Sequence, residues 1–415
     1  PGGCRARPVT VGTTVRTERV HVAGELLSLL PPTAGLAWLR RGEGLVGWGE
    51  AARVDPGTGD ERFLRAARAL RALADDADTH DPVGRPGTGL VAFASFTFDP
   101  RAPGSLLVVP QVTLGRRGRV GWRTTVGAGG APELVASPLA EHHGERIRSA
   151  GSSLPDVAWL EAVAGAVHRI AAGELDKVVL ARDHTVWSRA PFDARVLARR
   201  LAARFPDCWT FLCEGLLGAT PELLIRRTER RVASLVLAGS AARGADPDED
   251  RRLGEDLLAS KKDRHEHELA VASVREVLAP RCLRLRLDDE PSLLRLANVQ
   301  HLATRVSGTL GEDATALELA GALHPTAAVG GVPTEVALRV IRELEGMQRG
   351  RYAAPVGWVD ARGDGEFGIA LRCAELDGAR ARLFAGSGIV AGSLPEDELE
   401  ETWWKLRAMQ SAFQA

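Results

Sequence analysis

Lysine is scarce among the basic residues of this chain. Of 53 basic residues, only Lys177, Lys261, Lys262 and Lys405 are lysines, and the others are arginines. Arginine stays protonated under ordinary conditions, whereas a desolvated lysine can become a neutral amine that acts as a base. Codon usage alone would also produce such a bias. Even so, each lysine is a candidate for a task that arginine cannot perform.

Cysteine is also scarce, and its distribution excludes two kinds of site. The five cysteines are widely scattered and include no Cys-x-x-Cys pair. This pattern argues against a disulfide framework and against a zinc site, and it fits a reducing cytoplasm. The first five residues contain no apolar segment, so we expect no secretory signal and a cytoplasmic location.

Long apolar runs and basic blocks are absent as well. No apolar run approaches the roughly 20 residues that span a bilayer, so we predict no membrane segment. The formal net charge is -1, and without a basic block the chain is disfavoured as a nucleic-acid-binding protein. We therefore expect a small-molecule partner, and a monomer or a weak dimer.

The chain is long enough for more than one folding unit. At 415 residues it exceeds the usual single-domain size. Residues 1–150 have short β-rich segments, one predicted helix at Glu61–Leu73 and a loose connection at 127–151. Residues 151–415 mix strands and helices without regular alternation, which favours an α+β fold. We predict a mostly β scaffold half (1–150) and a catalytic half (151–415) within one composite domain.

Several predicted elements in the second half carry the residues of interest. The predicted helices include Lys262–Leu278 and Pro395–Phe413, and the predicted strands include Lys177–Val186, Leu293–Asn298 and Phe367–Cys373.

Two of these helices contain carboxylates spaced three residues apart. Asp263 and Glu266 form one pair, and Glu398 and Glu401 form the other. Residues at i and i+3 share a helix face, so two facing helices would bring four carboxylates together. Such a cluster is unfavourable unless protons or a divalent cation neutralise it, and oxygen-only ligands suit Mg²⁺. Two solvated acidic faces, with lysine pairs inside each helix, are the alternative.

One lysine and one glutamate lie in apolar strand contexts. Lys177 precedes Val-Val-Leu, and Glu222 follows Thr-Pro at the start of an apolar strand. Desolvation there favours a neutral amine that can deprotonate water and a carboxyl group that can donate a proton near neutral pH. An acid and a base tuned in this way serve a site that works in both directions. A surface position at the strand end is the alternative for Glu222.

Two glycine-rich turns and one arginine are candidates for binding an anion. Leu237-Ala-Gly-Ser and Phe384-Ala-Gly-Ser-Gly place small residues after apolar strands, where backbone N–H groups can bind a carboxylate. Arg372 falls within a predicted strand, and a buried guanidinium there needs an anionic partner. Ordinary turns, and an arginine on the solvent face of its strand, are the alternatives.

Together these segments resemble the chorismate-utilising enzymes, most closely the isochorismate synthases. The resemblance runs from about residue 155 to the C-terminus, and the first 150 residues match only loosely. It implies one large fold of antiparallel sheets sandwiched between helical layers, with the site in a deep cleft. The most specific strings are Leu237-Ala-Gly-Ser, Ala259-Ser-Lys-Lys-Asp-Arg-His-Glu-His-Glu-Leu, His301-Leu-Ala-Thr, Leu323-His-Pro-Thr, Pro355-Val-Gly-Trp, Ile369-Ala-Leu-Arg-Cys-Ala and Ala385-Gly-Ser-Gly-Ile-Val.

The resemblance also implies a role for individual residues. Lys177 matches the base that activates water, and Glu222 matches the acid that protonates the departing hydroxyl. Glu266 and Glu401 match carboxylates that bind Mg²⁺ directly. Asp263 and Glu398 match carboxylates that bind it through water. Residues that bind substrate are matched by Gly239, Ser240, His301, Ala328, Tyr352, Arg372, Gly386, Ser387, Gly388 and Lys405.

The implied reaction is the Mg²⁺-dependent isomerisation of chorismate to isochorismate. Water adds at ring carbon 2, and the carbon-4 hydroxyl leaves. Aminodeoxychorismate synthases carry a nucleophilic lysine where this chain has Ala238, and anthranilate synthases lack the base that Lys177 matches, so both are disfavoured.

Three alternatives stay open at this point. Salicylate synthase makes isochorismate and then eliminates pyruvate, although such enzymes tend to carry threonine where this chain has Ala328. Tyr352 occurs in both groups and does not decide between them. The other two alternatives are a protein that binds chorismate without turnover and an unrelated Mg²⁺ hydrolase. The downstream pathway, whether to a siderophore, menaquinone or a specialised metabolite, also stays open.

Overall fold

A computed structural model describes residues 5–7, 13–32, 35–127 and 147–414. None of the helices in these ranges is both long and apolar enough to cross a membrane. The helices are α1 (Arg62–Asp75), α2 (Asp156–Ala171), α3 (Ala194–Arg204), α4 (Pro247–Ala259), α5 (Lys261–Leu278), α6 (Ala316–Leu323), α7 (Thr334–Leu344) and α8 (Pro395–Phe413), with short 3₁₀ turns at Leu26–Leu29 and Ala279–Arg281.

The strands of the described residues are short in the first half of the chain and longer in the second. In chain order they are β1 (Arg5–Arg7), β2 (Thr14–Arg19), β3 (Leu36–Arg40), β4 (Glu43–Trp48), β5 (Ala52–Asp55), β6 (Asp78–His80), β7 (Val91–Ser95), β8 (Leu106–Val109), β9 (Val112–Arg117), β10 (Val120–Val126), β11 (Arg148–Gly151), β12 (Lys177–Trp187), β13 (Trp209–Cys213), β14 (Leu216–Thr220), β15 (Leu223–Thr228), β16 (Arg231–Ala242), β17 (Cys282–Leu287), β18 (Ser292–Arg295), β19 (Val299–Leu310), β20 (Gly331–Val332), β21 (Pro355–Asp360), β22 (Gly365–Ile369), β23 (Cys373–Asp377) and β24 (Arg380–Ile389).

These strands form two sheets. The first has the order β1-β5-β8-β7-β21-β22-β15-β16-β19-β17, with β18 also paired to β19. The second has the order β11-β12-β24-β23-β14-β13-β3-β4-β9-β10-β2-β6, with β20 also paired to β12. Within the described residues, every neighbouring pair is antiparallel except β2 with β6. Each sheet contains strands from before and after residue 150, and β11 includes that residue. The division into a scaffold half (1–150) and a catalytic half (151–415) stays a prediction.

The two sheets pack face to face on one apolar core. Phe93 of β7 and Phe367 of β22, from the first sheet, are buried in the same cluster as Phe211 of β13 from the second. Trp38 of β3 also crosses between the sheets, donating from its indole N–H to Glu366 of β22 at 2.8 Å. Helices α5 and α6 pack on the first sheet, and α3 and α8 pack on the second. The predicted α+β fold, with antiparallel sheets between helical layers, is confirmed.

Individual predicted elements agree with the structure to different degrees. Helix α8 spans the residues predicted for it, and α5 begins one residue earlier than predicted. The predicted strand Leu293–Asn298 was wrong in extent, because β18 ends at Arg295 and the long strand β19 follows it. Strand β19 mixes polar and apolar residues without a clear period, and it pairs along its length with β16. Most of the predicted connection 127–151 lies outside the described residues.

A buried ion pair that follows α7 ties β12 to the segments after α6 and α7. The Arg349 guanidinium donates to the carbonyl oxygens of Val179 and Val329, at 2.8 Å each. Its Nε lies 3.0 Å from the Glu345 carboxylate, and Glu345 in turn accepts from the backbone N–H of Ala181 at 2.9 Å. Both charged residues are almost fully buried. The pair therefore fixes β12, which begins with Lys177, against a second segment of chain.

Replacing Arg349 by methionine should lower the free energy of unfolding by about 3–5 kcal/mol, because it leaves a buried charge without its partner. Adding Glu345→Gln should recover part of that loss by removing the uncompensated charge. Chemical denaturation of the parent, the single variant and the double variant measures both effects. Equal losses in the two variants would show that the uncompensated carboxylate is not the cause.

Candidate active site

One cavity brings together most of the residues that the sequence analysis selected. The space inside it that a water-sized sphere can occupy is about 60 Å³. The predicted site residues that line it are Glu222, Gly239, Ser240, Glu266, His301, Ala328, Tyr352, Arg372, Gly386, Gly388 and Lys405. The other predicted site residues lie behind this lining and are Lys177, Asp263, Ser387, Glu398 and Glu401.

Local sequence signals set the start of the two acid-bearing helices. At the N-cap of α5, the Ser260 hydroxyl accepts from the Asp263 backbone N–H at 3.2 Å and donates to the Asp263 carboxylate. Helix α8 begins with Pro395, whose missing N–H costs nothing at that position. Acidic residues in the first turn, including Glu398, are favoured by the positive end of the helix dipole. The start of each helix therefore places one of the predicted metal-binding carboxylates, Asp263 or Glu398, in its first turn.

A β-bulge in β16 shapes one wall of the cavity. The pairing of β16 with β19 shifts register between Ala238 and Ser240, and the intervening Gly239 has φ +74°. That left-handed conformation favours glycine. The bulge places the Ser240 hydroxyl 3.0 Å from Nδ1 of His301. A methyl group on Gly239 would also lie 3.1 Å from the Asp263 side chain, so the wall and the acidic helix are closely packed.

Strand β24 passes close to Glu266, which lines the cavity, and to Lys177, which lies behind the lining. A Cβ atom at Gly388 would lie 2.0 Å from Glu266 Oε1 and 3.3 Å from Lys177 Cε. A Cβ atom at Gly386 would lie 3.0 Å from the Tyr352 hydroxyl. These glycines therefore create the space that the functional side chains occupy.

Glu222 lies just before β15, with its side chain buried. Burial raises the pKa of its carboxyl group to about 8, although a hydrogen bond from the Leu237 backbone and the charges of Arg372 and Lys177 act in the opposite direction. The desolvation of the charged form is therefore the dominant effect. At neutral pH the carboxyl group is protonated, and it faces the cavity as a proton donor.

Arg372 does not lie within a strand, so that prediction was wrong. Strand β22 ends at Ile369, β23 begins at Cys373, and Arg372 itself has φ +48°. Among the described residues, no carboxylate lies within ion-pair distance of its buried guanidinium, and its Nε has no hydrogen-bond partner. A buried positive charge of this kind, at the wall of a cavity, fits an anionic ligand.

A neutral histidine holds the Arg372 guanidinium in place. Arg372 Nη2 donates to Nε2 of His301 at 2.6 Å, so Nδ1 carries the proton and faces the Ser240 hydroxyl and the Gly239 carbonyl oxygen. Burial, and next the charge of Arg372, lower the pKa of His301 well below its ordinary value. The histidine therefore orients the arginine without adding a charge to the cavity.

Three of the chain's four lysines each pair with one of the predicted metal-binding carboxylates. The distances from Nζ to the carboxylate are 3.1 Å for Lys177–Glu266, 2.5 Å for Lys262–Glu398 and 2.5 Å for Lys405–Glu401. The Lys405–Glu401 pair lies within α8, as the alternative of lysine pairs inside each helix would have it. The Lys262–Glu398 pair instead joins α5 to α8. Lys177 Nζ is buried and makes no hydrogen bond of good geometry, so charge alone links it to Glu266.

Asp263, Glu266, Glu398 and Glu401, here called the carboxylate wall, have the chemistry of a magnesium site. In the described ranges, no three potential metal ligands already converge on one point. The donors are nevertheless all oxygens, which Mg²⁺ prefers, and they act on each other electrostatically. Burial and then the charge of Glu401 raise the pKa of Glu398, and burial together with the charges of Glu266 and Glu401 raises that of Asp263. A divalent cation would relieve this repulsion, so the residues fit Mg²⁺.

Sequence reasoning missed the apolar part of the cavity. Leu237, Val329, Leu371 and Phe384 line it together with the polar residues. The Tyr352 ring stacks on that of Phe384, with ring centroids 5.0 Å apart. In sequence, an apolar residue in a strand resembles any core residue. Only the position of these residues inside or beside the family motifs could have identified them.

Comparisons with known proteins show the family of this chain. The family model for chorismate binding enzymes matches residues 133–414. The chain belongs to the chorismate binding enzyme family. The salicylate biosynthesis isochorismate synthase of Pseudomonas aeruginosa is 36% identical over 414 residues, which cover 92% of this chain and 85% of that protein. The isochorismate synthase DhbC of Bacillus subtilis is 40% identical over 301 residues, which cover 68% of this chain and 76% of that protein.

A solved structure shows the same fold. The structure of MenF, the menaquinone-specific isochorismate synthase from Escherichia coli, matches with a TM-score of 0.82 at 27% identity. The match covers 98% of this chain and 96% of that chain. The first half of this chain, which resembles the family only loosely in sequence, is therefore part of the family fold.

Glu222→Gln should change how stability depends on pH. The folded protein holds a proton on this carboxyl group up to about pH 8, whereas the unfolded chain releases it near its ordinary pKa of 4.5. The parent should therefore lose stability as the pH rises from about 4.5 to about 8, and the neutral variant should lack that loss. Denaturation at about pH 5 and about pH 9 measures it, with the exposed Glu161→Gln as control. Parallel curves for parent and Glu222→Gln would contradict a protonated Glu222.

Proposed function

We propose that this chain is a Mg²⁺-dependent isochorismate synthase, an isomerase that converts chorismate to isochorismate. The observation that carries the proposal is a single cavity lined by the buried Arg372 guanidinium and the protonated Glu222 carboxyl group, beside the carboxylate wall. Within the described residues, that guanidinium has no carboxylate partner. The names of the Pseudomonas aeruginosa, Bacillus subtilis and Escherichia coli relatives support it. Chorismate is a dicarboxylate with a ring hydroxyl, which is the chemistry that such a cavity would accept.

Substrate binding would use the two charged ends of the cavity. Arg372, oriented by His301, would form a bidentate pair with the enolpyruvyl carboxylate. Tyr352 and the backbone of Gly386–Gly388 would complete that pocket, while the β16 bulge at Gly239 would line the ring.

The ring carboxylate would face the carboxylate wall. Glu266 and Glu401 would hold Mg²⁺ directly, and Asp263 and Glu398 would hold it through water. When bound, the cation would supply positive charge that neutralises and anchors the ring carboxylate. This arrangement leaves the proton transfers to Lys177 and Glu222.

The reaction would need two proton transfers, one to Lys177 and one from Glu222. Lys177 would take a proton from a water molecule, whose oxygen then bonds to ring carbon 2. The ring double bonds shift, the bond from carbon 4 to its oxygen breaks, and Glu222 donates a proton to the departing hydroxyl, which leaves as water. One water enters and one leaves, so the product is an isomer of the substrate. The Lys177–Glu266 contact implies that Glu266 must pair with another cation before Lys177 is available as a base.

The direct experiment incubates the protein with Mg²⁺ and chorismate and separates the products by chromatography. Isochorismate, formed with Mg²⁺ and lost with a chelator, is the expected result. Salicylate together with pyruvate would identify a salicylate synthase instead. Binding of chorismate without any product would identify a non-catalytic member of the family.

Lys177→Met should lower turnover by roughly 10³-fold, because the variant keeps the length of the side chain and loses the proton acceptor. Lys261→Met is the matched control, since Lys261 is exposed in the same chain and has no assigned role. Steady-state rates and a thermal unfolding curve are measured for both. A folded Lys177→Met protein with the parent's rate would remove Lys177 from the role of base.

Gly388→Ala should lower turnover on the order of 100-fold while the protein stays folded. The added methyl group overlaps Glu266 Oε1, and a displacement of about 1 Å in a reacting site can cost that factor. The control is Gly165→Ala in α2, where a methyl group has its nearest neighbour at 3.8 Å. Comparable rates in both variants would mean that the space beside Gly388 does not matter to the reaction.

A further inference from the structure

Lys262 makes the one ion pair of the carboxylate wall that joins its two helices within the described residues. Its Nζ, on α5, lies 2.5 Å from Oε1 of Glu398, on α8. The other carboxylate oxygen of Glu398 accepts from the hydroxyl of Ser387. The Glu398 side chain is 1% exposed, so both of its oxygens are occupied by donors of the chain itself.

The ammonium group of Lys262 acts on more than one carboxylate. The negative charges of Glu398, Glu401 and Glu266 all act on it, and it acts in turn on Asp263. The charge of this group therefore acts on all four carboxylates, and the group itself contacts Glu398. A divalent cation bound by those carboxylates would interact with the same negative charges.

Lys262 also differs from the other two paired lysines in its access to solvent. Its side chain is 35% exposed, whereas that of Lys177 is fully buried and that of Lys405 is 15% exposed. Lys405 has a second contact, to the carbonyl oxygen of Gly386 at 2.9 Å. A long lysine side chain can keep its stem in place and move its charged end into water. Of the three, Lys262 is the one that can withdraw.

The charge of the cavity wall explains why a lysine would have to withdraw. Without a ligand, the negative charges of the four carboxylates are matched by three lysines and Arg372. The protonated Glu222 and the neutral His301 add nothing to this balance. A divalent cation that entered while all three ammonium groups stayed in place would meet like charges at short range, which is unfavourable in a desolvated site.

We infer that Lys262 is an internal competitor of the cation: its ammonium group bridges α5 to α8 in the metal-free protein and moves to solvent when Mg²⁺ binds. The inference rests on the magnesium site of the proposed function. It follows that Lys262 lowers the affinity for Mg²⁺ below what the carboxylates alone would give. It also keeps Glu398 from being a buried, unpaired charge when no metal is bound.

The test measures Mg²⁺ binding and thermal unfolding of the substrate-free protein. Lys262→Met should bind Mg²⁺ roughly tenfold more tightly by titration calorimetry, a factor within the usual range for two coupled binding events. The same variant should unfold at a lower temperature than the parent without Mg²⁺ and should gain more from saturating Mg²⁺. Lys261→Met, with the same change of charge at the adjacent exposed position, should behave as the parent does.

The outcomes separate this inference from the proposal on which it rests. Weaker or unchanged Mg²⁺ binding in Lys262→Met would overturn the inference, because Lys262 would then support Glu398 as a ligand. Should that variant not fold without Mg²⁺, Lys262→Gln keeps a hydrogen-bond donor to Glu398 without the charge and carries the same test. The magnesium site itself would fail if Glu266→Gln bound Mg²⁺ as tightly as the parent.

Discussion

Buried like charge is the constraint on which the site depends. Four carboxylates lie in or beside one wall of a cavity, and burial raises the pKa of two of them, Asp263 and Glu398. Lysine ammonium groups pair with three of these carboxylates. An ammonium group is compact and can approach a carboxylate from any direction, whereas a planar guanidinium needs more space and a fixed orientation. Three of the four lysines are found here, whereas Lys261 is exposed and the other basic residues of the chain are arginines. The few lysines are therefore concentrated at this site.

The same constraint explains the backbone around the wall. Glycine at position 388 leaves room for Glu266 and Lys177, and the bulge at Gly239 lets β16 pack against the acidic helix. The buried pair of Arg349 and Glu345 holds β12 from the other side. A site built from two helices and two sheets thus has its charged groups fixed by neighbours that take no part in the chemistry.

Groups without an internal partner indicate what the cavity would bind. Arg372 has a free Nε and no carboxylate partner within the described part of the chain, and Glu222 keeps its proton at neutral pH. An anion and a leaving hydroxyl are the complements of these two groups. Their arrangement fits a dicarboxylate substrate, and the chain belongs to the chorismate binding enzyme family.

Sequence reasoning predicted the parts of this site that follow from local spacing and composition. The acid pairs at i and i+3, the helix Pro395–Phe413 and the isolated lysine of β12 all carry such signals. It missed the left-handed conformation of Arg372, because a positive φ at a residue other than glycine depends on tertiary packing. It also missed the extent of β19, because polar and apolar residues alternate irregularly along that strand and its length is seen only in its pairing with β16. The bridge from Lys262 to Glu398 spans 136 positions of chain, and no local pattern could predict it.

The origin of the new hydroxyl oxygen tests the central chemistry most directly. If Lys177 activates water and Glu222 protonates the departing group, turnover of chorismate in oxygen-18-enriched water should place one heavy oxygen on ring carbon 2 of the product. Mass spectrometry with fragmentation locates that atom. Isochorismate without the label would mean that the hydroxyl migrates within the substrate, which would contradict a separate acid and base acting on incoming and departing water.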